Sequence, residues 1–450
     1  MGCAVGDYNN DGYPDLYVTG VGRGWLFRNQ GPGKTPHFRE VAAQAGVQGN
    51  GWGAGCAWVD IDRDGRLDLF VCHYVHWNPR DDAPCQGAGG RPVYCGPNLY
   101  GPEPCRLYRQ KPDGTFADVS KQAGIWGRGG RPLVSKAMGV ALCDVDEDGW
   151  PDLAVSNDTE ANFLFRNNHD GTFREQGLAA GMALGERGLA RSGMGIDAGD
   201  WDGSSRESLL IGNFFDEKPA LYHPDARGLF TDAAAAAGIA EPARRFTTFG
   251  CLFVDLDNDG WLDVAGANGH IDEKVEQGAA VPLRQRPYSF LNEGGKHFRE
   301  VTLYARAVVG RGLAAGDWNR DGAVDLLMTT NGGAPVLLQN AGGQGRSLRL
   351  VLEGTRSNRS AIGAVVEAQA GGRTLRRRIR SGSSYLSASE LPLTLGLGEA
   401  GKAQDVTVRW PGGALEKLGA LAAGSEYRVR EGAGVVRTVP LSSGGRQAGR

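Results

Sequence analysis

Apolar residues come along this chain in short bursts. Runs such as Val140-Ala141-Leu142-Cys143 stand ahead of acidic turns that carry a glycine. Short β-prone runs, such as Leu69-Phe70-Val71 and Leu153-Ala154-Val155, follow the same turns. That order predicts two strands joined by a loop. An aromatic segment ending near Asn comes next, then a turn, a Phe and a polar strand. Trp25-Leu26-Phe27-Arg28-Asn29 with Phe38-Arg39-Glu40-Val41 is one copy, and Phe163-Leu164-Phe165-Arg166-Asn167 with Phe173-Arg174-Glu175 another. Four short strands in a unit of about 55 residues predict the blade of a β-propeller in an all-β chain. A linear solenoid of like period is the competing architecture.

The acidic turns repeat as Asp-x-Asp/Asn-x-Asp-Gly-x-x-Asp. Five copies are intact: Asp7, Asn9, Asp11, Asp15; Asp60, Asp62, Asp64, Asp68; Asp144, Asp146, Asp148, Asp152; Asp255, Asp257, Asp259, Asp263; and Asp317, Asn319, Asp321, Asp325. A sixth has decayed, keeping Asp200 and Asp202 but placing Ser204, Ser205 and Ser208 where carboxylates and the glycine belong. A hard divalent cation takes six to eight oxygens, and alternate residues of a tight loop aim theirs inward. The glycine at position six accepts the positive φ of the turn. An EF-hand needs Glu at position twelve, which here holds Val18, Val71, Val155, Gly266 and Met328, and it needs flanking helices. These loops instead join strands, and about five Ca²⁺ sites are expected. The rival reading is a set of plain solvated hairpins, disfavoured because 18 Asp in five loops repel one another without a cation.

Charge divides the chain. Overall it carries −3, but from Arg346 onward 17 basic residues face 8 acidic ones, a net of +9, which leaves −12 for residues 1–345. A boundary near 345 follows. The 71 glycines among 450 residues weigh against a helical bundle. No apolar stretch reaches the roughly 18 residues a membrane helix needs. Nothing matches a nucleic-acid motif, a P-loop, a Gly-x-Ser-x-Gly elbow or a His-Glu-x-x-His pair. The first residues have neither a basic region nor an apolar run, so no signal segment is visible.

The repeats resemble the FG-GAP/VCBS-type calcium repeats of integrin α-subunit propellers and bacterial surface proteins. Ser357-Asn358-Arg359-Ser360-Ala361-Ile362-Gly363-Ala364, Leu395-Gly396-Leu397-Gly398 and Val408-Arg409-Trp410-Pro411-Gly412-Gly413 resemble the ASPIC/UnbV domain. Together they are similar to the cartilage acidic protein family and its bacterial relatives. The resemblance implies a propeller over 1–345 with an insertion at about 73–106, a small β-rich domain over 346–432, and a disordered tail over 433–450. Six blades are counted, with a seventh if further sequence or residues 346–352 complete the ring. The family also implies a signal segment and a strand before the first loop, which the sequence does not display. It implies an extracellular, cell-surface or periplasmic calcium protein that acts as a binding or adhesion module for a protein, glycan or small polar ligand. The alternative is an enzyme of secondary metabolism, UnbV-like, working at the channel mouth.

Eight Cys fall into two groups. Cys3, Cys56, Cys143 and Cys251 recur just ahead of loops and read as small buried strand residues. Cys72, Cys85, Cys95 and Cys105 surround the insertion, where Cys85–Cys95 is the expected disulfide, Cys72–Cys105 a second candidate and zinc the other reading. The segments leaving each second strand carry His73, Asn157, Asp158, Asn213, Asp216, Asn268, His270 and Asn331. Gathered at the end opposite the calcium loops, they are candidates for ligand recognition, or else they cap strand ends. No catalytic residue is assigned. Arg373, Arg376, Arg377, Arg378 and Arg380 form a basic strand expected to be solvated, with binding to an acidic glycan or an anionic surface as the alternative.

Overall fold

The computed structural model describes residues 1–442 except 34–36, 81, 87–89, 91, 129–130, 273–280 and 343–344. Six antiparallel sheets succeed one another, each with its strands in chain order from the inside out. The third is typical: Ala137–Cys143, Asp152–Asn157, Phe163–Asn167 and Phe173–Glu175. The first begins with Cys3–Gly6, so the strand ahead of the first loop is present. The second interrupts the pattern between Asp68–His73 and Arg106–Gln110, where the insertion leaves the sheet. The sixth has three strands, Gly310–Gly316, Asp325–Thr330 and Val336–Leu338. This is a β-propeller.

The inner two strands of the second to fifth blades are buried along their whole length, because each blade is sandwiched between neighbours. Glycine makes the approach possible. A Cβ on Gly55 would sit 2.7 Å from the carbonyl oxygen of Met138, and one on Gly139 would sit 2.9 Å from that of Met194. Gly195 meets the carbonyl of Phe249 in the same way. The register slips at these glycines, between Gly53 and Cys56, Ala137 and Gly139, and Gly193 and Ile196. Such bulges bend an inner strand around a central channel.

Residues from 346 onward build two four-stranded sheets. One orders Leu393–Gly398, Arg346–Glu353, Ser425–Arg430 and Gly434–Pro440; the other orders Arg373–Arg378, Val365–Ala370, Lys402–Arg409 and Leu415–Ala422. Leu348, Leu350, Val366, Val406, Val408 and Trp410 are buried in their common core. Two expectations change. Arg346–Glu353 is not a seventh-blade strand: it pairs with Leu393–Gly398 and, in parallel, with Ser425–Arg430. The tail is ordered as far as Pro440, since Gly434–Pro440 pairs with Ser425–Arg430; residues 443–450 lie outside the described residues.

These two sheets sit on the end of the propeller that carries the acidic loops. Arg63 Nε donates to the Pro411 carbonyl at 2.6 Å, Ser347 Oγ to that of Gly322 at 2.6 Å, and the Arg359 N–H to Asn10 Oδ1 at 2.8 Å. The segment from Ile379 to Pro392 then enters the channel. Trp58 N–H donates to Ser381 Oγ at 3.2 Å, Ser384 bridges Ile196, and Tyr385 lies edge-on to Phe249 with ring centres 4.9 Å apart. Glu390 N–H reaches the Ala315 carbonyl at 3.0 Å. Those partners belong to four different inner strands, so the segment fills the channel from the loop end.

The insertion is stapled by Cys85–Cys95, with Cα atoms 5.4 Å apart. Cys72 and Cys105 are buried free thiols in the structure, as are Cys56, Cys143 and Cys251. Cys3 is free and half-buried.

Candidate metal-binding loops

In each intact loop the position-one carboxylate accepts the N–H of the position-six glycine, and in three loops it also accepts that of position five. In the first, Asp7 accepts the N–H of Asp11 at 3.0 Å and that of Gly12 at 2.6 Å; Asp60 accepts from Asp64 and Gly65, and Asp317 from Asp321 and Gly322, all at 3.0 Å. Position four lies in the left-handed region (Asn10, Arg63, Glu147, Asn258, Arg320), as does the glycine at position six. In three loops carboxylates converge on one centre, from positions one, three and nine in two of them and from positions one, three and five in the third. Asp60, Asp62 and Asp68 bring oxygens within 4.8 Å of one another, as do Asp144, Asp146 and Asp152, and Asp255, Asp257 and Asp259. The loops of Asp7 and Asp317 use Asn at position three, whose amide donates to Asp11 at 2.9 Å and to Asp321 at 2.8 Å.

The donor set suits a hard cation. Asp62 Oδ1, Asp144 Oδ1 and Asp255 Oδ1 are buried without a hydrogen-bond partner among the described residues. Buried acceptors left bare are costly unless a donor or ion meets them. Burial, reinforced by neighbouring carboxylates, pushes Asp15, Asp60, Asp152 and Asp255 up to about 7 and Asp263 to about 8. In these environments burial outweighs the compensation that backbone N–H groups give, and for Asp255 that of Arg377 as well.

Position nine has a second job that its spacing does not reveal. Asp15, Asp68, Asp152, Asp263 and Asp325 each accept one N–H from position two of their loop and one from the end of the third strand. For Asp263 these are Leu256 and Asn292, both at 2.8 Å. The third-strand residue then reaches the preceding blade. The side-chain amides of Gln110, Asn167, Asn292 and Asn340 donate to the carbonyls of Tyr8, Ile61, Trp201 and Leu256, at 2.7–2.9 Å. The recurring Asn was visible in the sequence, but its link across blades was not.

The decayed loop is rebuilt around arginines. Pro224 occupies the position of the third-strand Asn and has neither an N–H nor an amide to offer. Ser208 bonds His223 at 3.0 Å instead. Next to it, buried Glu207 accepts two bonds from Arg378 Nε, both 3.0 Å, and one from the Asp144 N–H at 3.2 Å. Burial would raise the Glu207 carboxyl, but Arg378, Arg376 and Arg380 outweigh it and hold it at about 2. The basic strand expected to be solvated is therefore packed against the propeller, where Arg378 is buried and Arg377 bonds the Gly260 carbonyl at 2.9 Å. Arg380 pairs with Asp197 at 3.4 Å.

The residues proposed for the opposite mouth separate. Asn157, Asn213 and Asn268 are buried and spent on the strand-two turns: their amides donate to Ala161 at 2.7 Å, Lys218 at 2.6 Å and Arg286 at 2.9 Å. Asp158 is buried and accepts the Tyr74 hydroxyl at 2.7 Å. His73 is buried 3.4 Å from Glu103. His270 packs against Phe214, whereas Asp216 is exposed and pairs with Arg244 at 2.8 Å; Asn331 is exposed on the sixth blade. The strand-capping role accounts for the asparagines.

The family models match the chain in two parts, as the fold divides it. FG-GAP-like repeats match residues 7–71 and 144–211, and ASPIC and UnbV matches residues 354–436. Cartilage acidic protein 1 of Homo sapiens is 25% identical over 395 residues, covering 84% of this chain and 53% of that protein. Its Xenopus tropicalis counterpart is 22% identical over 435 residues, covering 92% and 62%. The chain thus spans about half the length of the human protein and a little more of the frog one. Among solved structures, an Agrocybe aegerita lectin that recognises non-reducing terminal N-acetylglucosamine aligns with a TM-score of 0.42 and 17% identity over 76% of this chain and 81% of that one. The Dos1 propeller aligns with a TM-score of 0.34 and 11% identity over 91% and 81%.

Proposed function

From a chain in which FG-GAP-like repeats precede an ASPIC and UnbV domain, we propose a calcium-binding β-propeller that works outside the cell as a binding module. Residues 1–345 would form the calcium-binding unit, and residues 346–432 the domain docked on it. The observation that carries this reading is the set of buried, partnerless carboxylate oxygens in three of the loops. Asp and Asn at positions one, three and five would hold the ion, with the position-seven carbonyl and the position-nine carboxylate completing its oxygens. A bound Ca²⁺ supplies two positive charges where the loops concentrate negative ones. The chain's part is to hold those oxygens before the ion arrives, through the N–H bonds to positions one and nine. The Cys85–Cys95 disulfide supports an oxidising compartment.

Calorimetric titration of chelator-stripped protein with Ca²⁺ tests the proposal. About five sites with dissociation constants near 10⁻⁴–10⁻³ M are expected for an extracellular module. No uptake overturns it.

A further inference from the structure

A cleft of about 510 Å³ opens between the first two blades, beside their acidic loops. Arg28, Arg39, Arg66 and Lys111 line it, against one lining carboxylate, Asp113. That carboxylate is already engaged: Thr115 gives it an N–H at 2.9 Å and a hydroxyl at 2.6 Å. Arg28 and Arg66 pair with Asp11 and Asp64 of the adjoining loops. Arg39 and Lys111 are exposed and form no ion pair among the described residues. Two cations that form no ion pair among the described residues therefore line one cleft of ligand size, with Lys111 also attracting Asp113, in a region of the chain whose net charge is negative.

The rest of the lining indicates what such a cleft would take. Gln30 and Gln44 bring amides, whereas the Asn9 amide is turned to Asp11 and the Thr115 hydroxyl donates to Asp113, leaving its oxygen to accept. Side chains of this kind match hydroxyl groups, which both donate and accept, and an acidic peptide has few of those. We propose that the cleft binds an acidic saccharide, a uronate or sulfated sugar, with its anionic group between Arg39 and Lys111 and its hydroxyls on the amides. The cleft sits on two blades fastened together by Gln110, whose amide donates to the Tyr8 carbonyl at 2.8 Å, so its walls are held at a fixed spacing. The assignment rests on the binding-module reading above and names its ligand class.

The test is calorimetric binding of short uronate-containing and sulfated oligosaccharides to the full chain in millimolar calcium. Neutral oligosaccharides of the same length and a hexaglutamate peptide serve as comparison probes. The acidic sugars are expected to bind, and Arg39→Ala and Lys111→Ala each to weaken them about tenfold, as loss of a charge-assisted hydrogen bond does. Both positions are exposed, so thermal melts of the variants should match the parent. Binding of acidic and neutral sugars alike, or acidic-sugar binding that both variants retain, overturns the cleft assignment while leaving a binding module. Hexaglutamate binding in place of the sugars overturns the saccharide class. No binding of any probe by protein that takes up calcium overturns the cleft and leaves the calcium reading intact.

Discussion

Two aspartates at positions three and nine of one loop hold unlike places, and mutation should separate them. Asp146 is exposed and pairs with Arg166, so Asp146→Ala should remove one calcium site and leave the metal-free fold almost as stable. Asp152 accepts the N–H groups of Val145 at 3.1 Å and Asn167 at 2.9 Å while buried. Asp152→Ala strands both donors and should cost about 2–4 kcal/mol in urea unfolding even with chelator present. Equal metal-free stabilities of the two variants would remove the structural role from position nine. Both residues match the same sequence pattern. Only the placement of the third strand tells them apart.

At the scale of the blade, the decisive contact is the amide that crosses to its neighbour. Asn292 gives two bonds, to Trp201 at 2.7 Å and Leu262 at 2.9 Å, and so joins the fourth blade to the fifth. Asn292→Ala leaves two buried carbonyls bare and is expected to cost roughly 2–3 kcal/mol. Hydrogen exchange should rise first along Asp263–Asn268 and Tyr288–Asn292 if that contact holds the blades together. Four-strand blades were legible in the sequence because short apolar runs separated by turn residues have few other ways to pack. The sixth blade's third strand and the strand Gly434–Pro440 were harder to read. The latter is exposed along most of its length, so its pairing rests on backbone bonds that hydrophobic pattern does not encode.

For the whole molecule, charge organises the docking of the two parts. Position-one aspartates face arginines of the second part in most loops: Asp144 lies 3.5 Å from Arg378 and Asp317 lies 3.8 Å from Arg349. Glu207→Gln removes the carboxylate that three arginines share, and should cost about 3–5 kcal/mol, as breaking a buried ion pair does. Faster proteolysis of residues 346–440, with the propeller intact, is the expected readout. Metal-free protein should also respond to pH. Because burial raises Asp15, Asp60, Asp152 and Asp255 to about 7 and Asp263 to about 8, the folded chain favours their protonated forms. Their contribution is complete below the ordinary carboxylate range and is lost as pH rises through 7 to 8. With chelator the melting temperature should therefore fall between pH 5 and pH 8, and saturating calcium should abolish that fall. A chelated protein whose melting temperature is flat over this interval would contradict it.

The sequence by itself determined the repeat and the acidic loops and offered Cys85–Cys95 as a candidate staple, because each is a local matter of spacing, turn chemistry and short-range geometry. It could not place Arg373–Arg380, since a basic strand looks the same whether it faces water or a carboxylate 171 residues away, as Glu207 is from Arg378. It could not tell that Ile379–Pro392 fills the channel, or that the asparagines at the opposite end are consumed as strand caps. Those outcomes depend on which surfaces meet after the blades have closed around a common axis. Burial and charge pairing across that closure exist only in the folded chain, and the tertiary structure alone decided them.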